Sequence, residues 1–136
     1  MSLRDKIPAK NNPFKSANKV GIVSFTVGTE AGDAITVAVL VKDSNGRAIA
    51  ERVQLDWYLS TASNGGTITA SAATGGVAAG TNGSLLQTVT GKAGIGVTDA
   101  TGNLDVAITD SGTPTFYLVV VMPDGTLAIS GAITFA

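Results

Sequence analysis

The chain has 136 residues, 44% of them apolar and only 14% charged, with 17 glycines and a formal net charge of −1. That length allows one domain with a real core, and the composition is neither that of a disordered polymer nor that of a helical bundle rich in Glu, Lys and Leu. Cysteine and histidine are both absent, which excludes disulfides, thiolate metal sites, thiol nucleophiles, imidazole ligands and the middle member of a Ser-His-Asp relay.

The first element in chain order is a basic leader. Residues 1–19 carry five basic side chains and one acidic one, a charge of +4, whereas residues 20–136 carry four basic and nine acidic ones, a charge of −5. Pro8 and Pro13 fix their own backbones and bias Asn12 toward an extended conformation, so no helix is expected to run through this stretch. It lacks the apolar run and small-residue cleavage site of a secretory signal. The expectation is an intracellular product with an extended arm over residues 1–18 and one β domain over residues 19–136.

From Lys19 onward, short runs of Val, Ile and Thr alternate with turn tetrapeptides, the pattern of an all-β domain. Strands are predicted near 20–27, 34–42, 51–60, 84–90, 103–109, 115–122 and 126–135. About seven strands in this length fit a β-sandwich. In "ERVQLDWYLS", Val53, Leu55, Trp57 and Leu59 alternate with Gln54, Asp56, Tyr58 and Ser60, so Trp57 is expected in the core. "DSNG" (43–46), "DATG" (99–102) and "PDG" (123–125) supply tight-turn residues. The small, glycine-rich stretch 61–83 reads as a long loop or weak edge hairpin, either a contact surface or a tolerated linker. "FYLVVVM" is apolar on both faces, so one face must meet the arm, a loop or a partner as well as the core.

No motif assembles catalytic or cofactor chemistry. Asp43 and Asn45 imitate the start of a calcium loop, but Arg47 follows and no terminal Glu closes it. Asp99 and Asp110 fall in turns and Asp105 on the polar face of a strand, so solvated structural roles are expected for all three. "TGGVAAG" and "GKAGIG" lack the Gly-Lys-Ser/Thr ending of a phosphate loop. The expectation is a non-enzyme with no cofactor, no metal, no nucleic-acid partner and no membrane span.

The stretches "VKDSNGRAIA", "VQLDWYLS" and "TDATGNLDVAITDSGTPTFYLVVVMPDGTLAISG" resemble a bacterial immunoglobulin-like module. The two ends, "LRDKIPAKNNPFKSANKVGIVSF" and "GTPTFYLVVVMPDGTLAISGAITFA", resemble small virion proteins of tailed bacteriophages and prophages. Together these ends cover about a third of the chain. The resemblance implies a head decoration (cement) protein on the capsid exterior, made in the host cytoplasm, with the major capsid protein and further copies of the chain as partners. Arg4, Lys6, Ile7, Lys10, Phe14 and Lys15 are then the expected capsid contacts. The alternative is an immunoglobulin-like receptor- or carbohydrate-binding module of a phage fibre or bacterial surface protein.

Overall fold

The structure is a computed structural model, and it describes residues 20–136. The expected arm, its boundary with the β domain and the six leader contacts lie outside the described residues. The described chain is all-β, with no helix, and forms ten strands. These are β1 (Ile22–Val27), β2 (Ala34–Lys42), β3 (Gln54–Ser60), β4 (Gly76–Ala79), β5 (Ser84–Val89), β6 (Ala93–Val97), β7 (Asn103–Thr109), β8 (Thr115–Val121), β9 (Leu127–Ile129) and β10 (Ile133–Thr134).

The count of seven is therefore corrected to ten, for two reasons. The expected strand at 126–135 is split in two: β9 and β10 pair successive parts of β8. At the interruption the Ser130 amide donates to the Leu118 carbonyl, while the Leu118 amide donates to Ser130 Oγ. The other two additions, β4 and β6, lie in glycine-rich sequence whose bulk is too small to announce a strand.

The strands form two antiparallel sheets, one in the order β1-β2-β7-β4 and the other β10-β8-β3-β6-β5, with β9 also on β8. Their inward residues alternate and meet between the sheets. Val37, Val39, Val41, Leu104, Val106 and Ile108 come from the first sheet; Leu55, Trp57, Leu59, Phe116, Leu118 and Val120 come from the second. This is a β-sandwich with immunoglobulin-like character. Phe116 and Phe135 close one end edge to face, with centroids 6.3 Å apart at 77°.

β6 is a strand because its neighbours need room. Gly94 and Gly96 are buried on its inner face. A Cβ on Gly94 would collide with the Leu86 carbonyl oxygen and stand 2.9 Å from Trp57 Cζ2, and one on Gly96 would stand 2.6 Å from Leu104 Cδ2. The glycines that resembled a phosphate cradle are thus the floor under Trp57 and Leu104.

The three predicted turns are fastened by aspartates. Asp43 Oδ1 accepts from the amides of Asn45 and Arg47, and Asp99 Oδ1 from those of Thr101 and Asn103 and from the Thr101 hydroxyl. Asp124 Oδ1 takes both the amide and the hydroxyl of Thr126. The Thr101 hydroxyl, then the Asn103 amide, hold Asp99 below the usual carboxylate range, and the Thr126 hydroxyl and amide do the same for Asp124. A carboxyl depressed on folding stabilises the fold above its unfolded pKa, and that stabilisation is lost as pH falls through the folded value. Thr101→Val is therefore expected to move the Asp99 midpoint upward and leave Asp124 in place, as read from carboxyl carbon shifts across an acid titration.

Candidate functional site

The structure gives each acidic side chain singled out in the sequence a local structural task. Asp43 and Asp99 hold turns as described. Asp105 Oδ2 accepts from the Asn82 backbone amide and from Asn82 Nδ2. Asp110 Oδ2 accepts from the Thr74 amide, and its Oδ1 from the Gly112 amide. The solvated role expected for Asp110 is corrected: it is only 3% exposed, and it ties the 74–76 segment to the 110–114 turn. Among the described residues no three acidic side chains gather as cation ligands.

The glycine-rich stretch 61–83 is built into the body. The amide of Thr69 donates to the Leu59 carbonyl and that of Ala73 to the Gly91 carbonyl, while Lys92 Nζ reaches the Ala70 carbonyl at 2.7 Å. Residues 76–79 become edge strand β4. The 69–74 wall and the 110–116 segment enclose an open cleft of about 620 Å³ lined by Thr61, Ser71, Thr113 and Phe116 among others. Its lining is small and hydroxyl-rich, and the one carboxylate in it, Asp110, already serves two amides.

The more extensive feature is the outer face of the six-stranded sheet. Because Leu55, Trp57 and Leu59 point inward, the intervening Asp56 and Tyr58 of β3 point outward. Strand register extends this alternation sideways. Leu86, Ile95, Asp56, Val121 and Leu127 form one row across β5, β6, β3, β8 and β9. The next row runs Val89, Ala93, Tyr58, Val119 and Ile129.

Part of this face is already covered. Residues 62–66 fold back so that the Tyr58 hydroxyl donates to the Gly65 carbonyl, and Gly65 packs closely over Val119 and Ile129. This answers the two-sided "FYLVVVM": its inner face is Phe116, Leu118 and Val120, and a loop covers the middle of its outer face. The first row stays open, with Leu86 63% and Leu127 42% exposed, and Val89 at the margin of the second row is 51% exposed. Asp56 is exposed in the centre, and its carboxylate has no hydrogen-bond or ion-pair partner among the described residues.

Sequence reasoning placed Tyr58 on the outer face of its strand and found both faces of "FYLVVVM" apolar without choosing between them, and it did not assemble the face. Leu86, Ile95 and Leu127 join it through pairings between strands distant in sequence, and β6 was not foreseen at all. The available signal was β8, which carries apolar residues on the side away from the core as well as on the side facing it.

Fold and face together define a non-helical β-sandwich with one largely apolar sheet surface. No protein-family model matches the chain, and no curated protein matches it. Among solved structures it is similar to a cohesin module from a family 33 glycoside hydrolase of Clostridium perfringens, at 13% identity and a TM-score of 0.45 over 85% of this chain and 96% of that one.

Proposed function

We propose that the protein is a non-catalytic docking module and, more specifically, a structural protein that decorates the outside of a tailed-phage head. The observation that carries the first part is the apolar outer face on a rigid two-sheet body whose acidic turn residues are occupied by backbone amides. The second part is supported by the resemblance of the two ends to small virion proteins and by the uneven charge, +4 in residues 1–19 against −5 in the rest. In this reading Arg4, Lys6, Lys10 and Lys15 pair with an acidic shell of major capsid protein, while Ile7 and Phe14 bury against it.

Removing residues 1–15 is expected to leave the fold intact and to weaken attachment to undecorated heads by a large factor. Attachment of the full chain should fall as salt rises, because the Debye length shrinks from about 10 Å at 0.1 M to about 3 Å at 1 M. Titrating heads with both forms at two salt concentrations and counting bound copies checks this. Equal binding by the truncated form transfers the contact to the sandwich face and removes the leader from the attachment.

The carbohydrate-binding alternative has the hydroxyl-lined cleft in its favour. It lacks an exposed stacking platform there, since the aromatic side chain in the lining, Phe116, is buried in the core. Saturable binding on a glycan array would reverse the order of the two readings.

A further inference from the structure

We infer that the free edge of β1 is an interface between two copies of this chain. β1 pairs with the β1 of a second copy, antiparallel about a two-fold axis at Phe25, and joins the two four-stranded sheets edge to edge. The inference rests on β1 and its neighbours and is independent of the phage reading.

Three observations support a second copy as the occupant. The first is an edge left open where the other edges are blunted. β4 is four residues long, and its Val77 amide is taken by Gln87 Oε1. β5 shifts register between Gln87 and Val89, and β9 and β10 have only three and two residues. β1, "IVSFTV", runs six residues in unbroken register with β2, with no charge and no proline. Such an edge is a template for another strand.

The second is the set of backbone groups that face outward. The Gly28 amide donates to the Thr36 carbonyl, which puts the even positions of β1 in the bonded pairs with β2. Val23, Phe25 and Val27 therefore turn their N–H and C=O groups away from β2, and among the described residues β1 pairs with no other strand. Centred on Phe25, a second copy presents the same three residues in reverse order. Val23 meets the second copy's Val27 and Phe25 meets its counterpart, for about six inter-chain bonds. Both edges are used up, so the pair closes and does not grow into a longer sheet.

The third is incomplete cover. Val23, Phe25 and Val27 stand opposite Val41, Val39 and Val37 and pack toward the core with them. All three are only part-buried, whereas their partners on β2 are fully buried. On this side of the sandwich the other sheet offers the short β9. A second copy lays its own Val27, Phe25 and Val23 beside these residues, and the half-covered apolar row becomes the middle of a continuous one.

On the outer face the same register sets Ser24 against the second copy's Thr26, and this supplies the test. The full-length chain is expected to sediment as a concentration-dependent mixture of monomer and dimer below about 1 mM. Ser24→Lys combined with Thr26→Lys sets like charges opposite each other on both sides of the axis and should raise the dissociation constant about tenfold. Ser24→Glu combined with Thr26→Lys makes the same positions attractive and should keep the dimer, with a closely similar bulk on the strand. Far-ultraviolet dichroism checks that both variants are folded. The sequence contains no cysteine, so under mild oxidation a Ser24→Cys chain mixed with a Thr26→Cys chain should cross-link to it far more than either chain does to itself. A protein that stays monomeric throughout that concentration range, a dimer equally tight in the two charge variants, or cross-links formed mainly between identical chains overturns the inference. Attachment to phage heads plays no part in these measurements, so loss of either result leaves the other standing.

Discussion

Gly94→Ala is expected to cost about 3 kcal/mol, the upper end of overpacking penalties, and to lower the thermal midpoint by roughly 10 °C. The obstruction is backbone as well as side chain: the added methyl would meet the Leu86 carbonyl oxygen and the Trp57 ring together. A flexible side chain could swing aside, but here β5 itself has to separate from β6, and pairs such as Leu86 with Ile95 separate with it. Gly131→Ala is the control, since a Cβ there meets nothing within 4 Å, and its effect should fall within about 0.5 kcal/mol of zero. Parallel thermal melts followed by far-ultraviolet dichroism decide the matter, and equal midpoints for the two variants would mean that β6 is not the floor beneath Trp57.

Trp57→Ala is expected to be as damaging, about 3 to 5 kcal/mol, because it empties the space between the sheets where the largest inward side chain of β3 sits. Trp57→Phe should cost far less than its lost area suggests. The indole Nε1 is buried without a hydrogen-bond partner among the described residues, and an orphaned donor of that kind carries a penalty of about 1 to 3 kcal/mol that phenylalanine does not have. Urea titrations of the two variants should therefore give clearly separated midpoints. A phenylalanine variant as unstable as the alanine one would show that the indole N–H contributes a favourable interaction of its own.

What could be read in the sequence followed from how far each signal depends on its own residues. β7 is legible because apolar and polar positions alternate within it, and β2 and β8 because they are runs rich in valine; the predicted 34–42 and 103–109 match Ala34–Lys42 and Asn103–Thr109. β6 is illegible for the opposite reason: its inward positions are glycines because Trp57 and Leu104, on other strands, occupy the space. Asp110 looked like one more turn aspartate, and its burial depends on Thr74, 36 residues earlier, whose amide it accepts. The outer face was only half visible, since Tyr58 could be assigned by alternation while the side taken by Val119 and the partners that complete the rows come from packing and register. Leader contacts named from sequence lie outside the described residues.

The central position of β3 also sets the order in which the chain can be completed during synthesis. β3 ends at Ser60, yet its two partners are β6, near residue 95, and β8, which ends at Val121. Until the ribosome has delivered both, Trp57 and Leu59 have only one sheet to pack against and β3 has an unpaired edge. Pairings so remote in sequence make folding slow, on the scale of milliseconds to seconds, because loop closure precedes any gain from contact. The nascent sandwich thus spends most of its elongation as an open sheet, and it closes only when the last quarter of the chain is available.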